Sequence, residues 1–491
     1  MATGAWPEHD PREGDITMSR EERQPGSAPS VFDDMYPYRG RFESYTTLPP
    51  TGRDRAEILH ELRQIARSED ARWETGRISG SYYHGGKEHY AFLNEIFGLF
   101  SHVNLLQRDM CPSGTKFEAE VVSMTANMLH AEAVECSGPD DGVCGAITSG
   151  GSESIMLPML AYREQARAVR GITAPEMVVP DTIHPAFEKG AYYFGIRLVR
   201  VPVGADFLAD VEAMRAAITP DTIALAGSAA NYPHGLIDPL ARLSELALAH
   251  GIGMHVDACL GGFLLPWIEK LGYDVPPFDF RLPGVTSMSC DTHKWGYGLK
   301  GASVVLYRRK TLRRWQYFST TSWPGGLYAS PTMAGSRSGG ITASTWASLV
   351  AHGEEGYLDT TRRIMRAADT IKTGVARIPE LRMAGNPTFC IAILSDVVDI
   401  YHVADHMASR GWRLNGLQRP PGFHICVTLP QTAPGLAERF VEDLRAAVTY
   451  AKSPPASPPK SGALYGGGST GMEPALVNDL LLTMLDATYE L

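Results

Sequence analysis

Between residues 144 and 306 of this 491-residue chain, short apolar runs alternate with stretches patterned as helices. That alternation limits the fold more than any other feature. Cys144–Ile147, Met177–Val179, Arg197–Val203, Thr222–Ala226, Gly253–Asp257, Val285–Ser289 and Ser303–Tyr307 read as strands. Leu208–Ile218 and Pro239–His250 read as helices between them. A strand followed by a helical crossover returns parallel to itself, so the pattern predicts an α/β fold with a mostly parallel, helix-covered sheet. The Thr148–Ser154 turn opens a further helix, and Pro158 inside it predicts a kink or a later start.

The rest of the chain is organised around this block. Residues 1–35 are rich in Pro, Gly, Ser and charge, the composition of a disordered tail. Residues 36–100 are expected to form a helical segment, with an amphipathic helix at Arg53–Ala66. A large domain is expected over 101–347, including a helix at Phe117–His130, and a small C-terminal domain over 348–491. The latter reads as a second αβ set, with helices near 357–377, 399–410 and 434–450 and strands near 389–394 and 423–429. A Pro/Ser-rich connector follows at 451–462, then a last helix near Ala475–Tyr489.

Composition excludes several classes. The net charge of −10 disfavours nucleic acid as a partner. Seven scattered cysteines without a CxxC pair argue against a disulfide framework and a zinc site, so no metal is expected and a reducing cytoplasm is the expected setting. No apolar run approaches the roughly 18 residues of a membrane span, and the acidic, Pro-containing start lacks a signal-peptide pattern.

Three motifs carry chemistry. Thr148-Ser149-Gly150-Gly151-Ser152-Glu153-Ser154 links a strand to a helix N-terminus, where small residues expose backbone N–H groups to an anion. Alone it could be a plain connection. Asp257, in HVDACLGG, ends a strand, where open α/β sheets bind ligands; alone it could be a helix cap. Lys294, in DTHKWGYGLKG, also follows a strand, and a partly desolvated lysine there can form a Schiff base. A phosphate cup, an aspartate and a lysine, in that order, are what pyridoxal phosphate requires: an anchor, a partner for the ring nitrogen and an imine.

The segments TSGGSES, HPAFEKGAYYFG, NYPHGLIDP, HVDACLGGFL, DTHKWGYGLKG and GGLYASPTMAGSRSGG resemble the sphingosine-1-phosphate lyases. These are a branch of the fold-type I, group II pyridoxal-phosphate decarboxylase-like enzymes. The resemblance runs from about residue 36 to the C-terminus. It implies a large domain with a seven-stranded sheet and a smaller C-terminal α/β domain. It also implies a homodimer with its active sites at the subunit interface.

The same resemblance implies residue roles. Lys294 bonds the cofactor, and His293, Gly151 and Ser152 lie at its phosphate. Asp257 pairs with the ring nitrogen, His184 stacks on the ring, and Asn231 and Tyr232 lie near its polar edge. Ser336 reaches the phosphate from the other subunit. Lys300 is the second functional lysine, and Tyr83 an active-site tyrosine. Asn104 and Tyr465 belong to the substrate side, Tyr465 at the pocket entrance.

The chain departs from the family at Gln107, where a histidine is common; Arg108 is the neighbouring cation. Ser152 replaces the commoner threonine, and the membrane anchor of eukaryotic members is not expected. The implied reaction is retro-aldol cleavage of a sphingoid-base phosphate to a long-chain aldehyde and phosphoethanolamine, with Tyr83, Lys300 or the freed Lys294 as base. The alternatives are an amino-acid decarboxylase and a non-catalytic cofactor-fold scaffold.

Overall fold

The computed structural model describes residues 38, 40–136, 138, 141–454, 457–465 and 473–489. The expected tail at 1–35 lies outside the described residues. The chain divides into two compact units, Met1–Glu61 with Met472–Leu491, and Leu62–Gly471. In the first, Arg53 donates to the Tyr45 hydroxyl (2.9 Å) and to Glu61 (2.8 Å).

In chain order the elements begin with three helices, α1 (Arg55–Trp73), α2 (Lys87–Phe100) and α3 (Pro112–Met128). An alternating block follows: β1 (Cys144–Thr148), α4 (Gly151–Arg170), β2 (Glu176–Pro180), α5 (Ala186–Phe194), β3 (Arg197–Val201), α6 (Val211–Ala216), β4 (Thr222–Ser228), α7 (Leu240–His250), β5 (Gly253–Asp257), α8 (Leu265–Lys270), β6 (Ser287–Cys290) and β7 (Ser303–Tyr307). Then come α9 (Lys310–Arg313), the hairpin β8 (Phe318–Thr320) and β9 (Tyr328–Ser330), and α10 (Gly339–Ala376). The C-terminal part contains β10 (Arg382–Met383), β11 (Cys390–Leu394), α11 (Ile400–Ser409), β12 (Asn415–Gln418), β13 (Pro421–Cys426), α12 (Leu436–Ala451), α13 (Lys460–Tyr465) and α14 (Pro474–Ala487).

The seven expected strands form one sheet in the order β1-β7-β6-β5-β4-β2-β3. Only β7 runs antiparallel to its neighbours. Alternate residues of one strand feed two cores: Val178 and Leu225 pack in one cluster, Met177, Val179, Ala224 and Ala226 in the other. A sheet buried on both faces needs apolar residues at every position, which is why these strands appear in the sequence as runs. The four strands β10-β11-β13-β12 form a separate antiparallel sheet.

Two local expectations are revised. Helix α4 starts at Gly151 with Pro158 inside it, so the later start is not adopted. Helix α10 begins well before residue 357 and is broken at Gly353 (φ 56°, ψ −179°).

Sheet register brings the three motifs together. Ser228 pairs with Asp257 and Asp257 with Ser289 across parallel strands, so β4, β5 and β6 end at one edge. β7 is antiparallel, so it starts at that edge, where Ser303 pairs with Thr148 at the end of β1. The glycine turn, Asp257 and the segment from Asp291 to Lys294 therefore leave the sheet on the same side.

Candidate active site

The turn between β1 and α4 is held from within. Ser149 donates from its backbone N and its hydroxyl to Glu153 Oε2, both at 2.6 Å. The other oxygen, Oε1, accepts from Met333 N at 2.8 Å. Gly150 adopts φ 150°, a backbone that side-chain-bearing residues rarely reach. A Cβ on Gly151 would stand 2.8 Å from both Asp291 oxygens and 2.9 Å from Cys259 Sγ. Backbone alone fits there, with the first-turn N–H groups and the positive end of α4 facing outward. The Ser152 side chain is exposed beside it.

Asp257 is buried and accepts from Cys259 N at 3.0 Å and from Ser289 Oγ at 3.2 Å. Behind Ser289, His255 places Nε2 at 3.2 Å from that hydroxyl and Nδ1 at 2.8 Å from Ser287 Oγ. Burial pushes His255 down to about 4, so its imidazole is neutral. Because Ser289 gives its proton to Asp257, His255 donates through Nε2 and accepts at Nδ1. The chain of bonds keeps Asp257 an acceptor.

Lys294 Nζ lies 2.8 Å from Asp291 Oδ2, and His293 Nε2 lies 3.6 Å from the same oxygen. Lys300 donates to the carbonyls of Ser81 (3.1 Å) and His293 (3.3 Å) and lies 4.9 Å over the Tyr83 ring. Its side chain has solvent access, yet desolvation and the nearby Lys294 charge push it down to about 8. Tyr83 is buried against Trp295 (ring centroids 4.7 Å apart), and burial raises its phenol well above the ordinary range.

Asn231 is buried, accepts from His234 N at 2.9 Å, and leaves its Nδ2 without a hydrogen-bond partner. Tyr232 stands edge-on to His424, with ring centroids 4.8 Å apart. His184 is exposed and accepts from Ala186 N.

Asn104 and Ser336 form a separate pair. Asn104 Nδ2 donates to Ser336 Oγ at 3.0 Å, and Asn104 Oδ1 accepts from Arg337 N at 3.3 Å. No hydrogen bond among the described residues joins this pair to Lys294, Asp257 or Lys300. Gln107 is exposed, while Arg108 is paired with Glu118, which Arg337 also contacts at 3.2 Å. Arg108 is thus already engaged by a carboxylate that it shares with Arg337. Tyr465 ends α13, and its side chain lies outside the described residues.

Sequence reading passed over Asp291, Glu153 and Trp295. The only signal for Asp291 was its place three residues before a lysine on a turn; Glu153 and Trp295 gave none beyond lying within the motifs.

These residues fit pyridoxal phosphate. The Gly151 cradle tolerates no Cβ, the N-terminus of α4 can receive an anion, a buried carboxylate stands ready for a cationic nitrogen, and the orphan Asn231 Nδ2 is a donor without an acceptor.

Comparisons with known proteins agree. Residues 43–390 match the pyridoxal-dependent decarboxylase conserved domain. A sphingosine-1-phosphate lyase of Arabidopsis thaliana is 46% identical over 440 residues, 88% of this chain and 79% of that protein. The solved structure of a Burkholderia pseudomallei sphingosine-1-phosphate lyase superposes with a TM-score of 0.87 at 49% identity, covering 93% of this chain and 99% of that one. A Lactobacillus brevis glutamate decarboxylase shares the fold, with a TM-score of 0.72 at 20% identity over 86% of this chain and 99% of that one. The chain therefore belongs to the pyridoxal-dependent decarboxylase family, in its sphingosine-1-phosphate lyase branch.

Proposed function

We propose that this protein is a pyridoxal-phosphate-dependent carbon–carbon lyase. It cleaves sphingosine 1-phosphate and related sphingoid-base phosphates to a long-chain fatty aldehyde and phosphoethanolamine. The observation that carries the lyase reading is the second lysine, Lys300, seated over Tyr83 beside Lys294. A decarboxylase needs no such additional cation for a substrate phosphate or for proton transfer at a 3-hydroxyl.

The cofactor would be held by Lys294 at its carbonyl, by Asp257 at the ring nitrogen, and by Gly151, Ser152 and His293 at its phosphate. His184 would cover the ring, and Asn231 and Tyr232 would meet its polar edge. When bound, pyridoxal phosphate supplies an electron sink for the pair released from the broken C2–C3 bond.

The chain's own residues do the rest. Asp257, kept an acceptor by Cys259 N and Ser289, holds positive charge on the ring nitrogen. Of the three candidate bases, Lys300 is the one pushed downward, to about 8. Its neutral amine takes the proton from the substrate 3-hydroxyl, while Tyr83, held as a phenol by burial, donates to an oxygen beside it. Asn104, Tyr465 and the ammonium form of Lys300 serve the substrate's polar groups.

The protein acts as a homodimer in the cytoplasm, with Ser336 of the partner subunit completing each phosphate site. The bridge-free cysteine set supports that setting: all seven cysteines are free. The large domain spans 101–347 and the small one 348–491, following a helical segment at 36–100. Among the described residues no helix is long and apolar enough to cross a membrane.

The test is incubation of purified holoenzyme with a sphingoid-base phosphate, followed by mass spectrometry. A fatty aldehyde and phosphoethanolamine in equal amounts are expected. Carbon dioxide from glutamate or an aromatic amino acid, with no aldehyde, would establish the decarboxylase reading instead.

A further inference from the structure

Three features converge on Asp291. Its side chain is only 3% exposed, and its Oδ2 lies 2.8 Å from Lys294 Nζ. Its Oδ1 is buried without any hydrogen-bond partner. Both oxygens lie where a Cβ on Gly151 would meet them at 2.8 Å, against the N-terminus of the 20-residue helix α4. A carboxylate this deep is retained only when paired, and here the pairing partner is the amine that must bond the cofactor.

We propose that Asp291 is a positioning residue that seats the free amine of Lys294. It holds the ammonium beside the glycine cradle whenever that amine carries no other bond. The inference rests on Lys294 being the cofactor-bonding lysine. Its consequence is that proton loss from the seated ammonium, rather than access to the cradle, governs how fast the amine becomes reactive.

The surrounding charges support this assignment. Burial pushes Lys294 down, but Asp291, then Cys259 and Asp257, outweigh burial and the net direction is upward. For Asp291 burial pushes up, and Lys294 and His293 overcome it, so the carboxyl stays below its ordinary value. Lys300, His293 and Tyr232 also face the Lys294 charge, and each is moved downward by it in part. The two lysines thus stand on opposite sides of the ordinary range, although both are close to His293.

The test reads proton affinity without turnover. Full-length protein freed of cofactor is trace-labelled with acetic anhydride between pH 7 and 10.5, and Lys294 and Lys300 are quantified in the same digest by mass spectrometry. In the wild-type chain Lys300 should label from about pH 8, and Lys294 at least about two pH units later. In Asp291→Asn the Lys294 profile should move down by at least about one unit, giving roughly tenfold more label at a fixed pH, while Lys300, which feels Asp291 only as a weaker opposing charge and not as a hydrogen-bond partner, moves less. Simple loosening of the fold would raise labelling of both lysines without moving the Lys294 midpoint alone. Lys294 labelling before Lys300 in the wild-type chain overturns the proposal, even if Asp291→Asn does not fold. An unmoved Lys294 profile in a folded Asp291→Asn chain overturns it as well. Neither readout depends on which substrate the loaded enzyme cleaves, so failure here is distinct from failure of the lyase reading.

Discussion

The ammonium of Lys300 lies 4.9 Å over the ring of Tyr83, anchored on the carbonyls of Ser81 and His293. This geometry fixes the cation without giving it a carboxylate partner. Desolvation and Lys294 therefore push Lys300 down to about 8, outweighing the opposing charge of Asp291.

A pH profile follows. If the neutral amine is the base, kcat rises with pH and levels above about 8, because the ammonium is lost as pH passes that value. Lys300→Arg carries a permanent charge in nearly the same place. It should lose this limb of the profile and reduce kcat by about 10²–10⁴-fold, with the cofactor's visible absorbance retained. Steady-state kinetics between pH 6 and 9.5 check both points, and an unaltered profile in Lys300→Arg would remove Lys300 from the proton transfers.

Lys294→Ala tests the other lysine. It should abolish turnover and the visible absorbance of lysine-bound cofactor, since the neighbouring amine, Lys300, is held over Tyr83 on the carbonyls of Ser81 and His293 and does not take its place at the end of β6. Absorbance spectra of purified wild-type and variant protein decide this, and retained activity would reassign the lysine.

Much of this site was legible because it sits where periodicity changes. The strand runs end at Thr148, Asp257 and Cys290; parallel register carries the ends of β5 and β6 to one edge, and the antiparallel β7 brings the end of β1 there. Glu153 and Asp291 were not legible, because their meaning depends on which loop lies opposite. Glu153 reaches Met333, and Asp291 faces Gly151; neither pairing leaves a trace in local sequence. The same holds for Tyr83 and Lys300, which only the fold brings together, and for Asn104 with Ser336. Arg108 illustrates the opposite case. As a cation beside Gln107 it suggested a phosphate contact, but a buried glutamate already claims it.

Buried histidines make stability depend on pH. His424 is fully buried, with Nδ1 3.1 Å from the Pro233 carbonyl and Nε2 3.1 Å from Asn415 Nδ2, a pattern that suits the neutral ring. Burial pushes His424, His255 and His234 each down to about 4. Their folded values lie below the unfolded value of about 6.5, so the unfolded chain binds more protons between those limits. The stability they provide is complete above about pH 6.5 and is lost as pH falls towards 4, on the order of 3 kcal/mol for each ring. Asp238, pushed up to about 6 by burial, works in the opposite direction but is one group against three. Calorimetry should show Tm falling steeply from pH 6.5 to 4, and His424→Gln should flatten that slope; a level Tm across the window would contradict it.

Gly151→Ala tests the cradle. The new methyl carbon would lie 2.8 Å from both Asp291 oxygens and 2.9 Å from Cys259 Sγ, inside any normal contact distance. Asp291 cannot retreat without loosening the 2.8 Å pair with Lys294, and Cys259 is tied through its own N–H to Asp257. The displacement is therefore passed to the cofactor site, not absorbed by a flexible side chain. The variant should fold, because the α4 backbone is already helical at this position and alanine favours helix over glycine by about 1 kcal/mol. Its affinity for pyridoxal phosphate should fall by at least about tenfold, the equivalent of 1.4 kcal/mol. Titration of cofactor-free wild-type and variant chains by tryptophan fluorescence measures this loss, and equal affinities would show that the turn between β1 and α4 does not hold the phosphate.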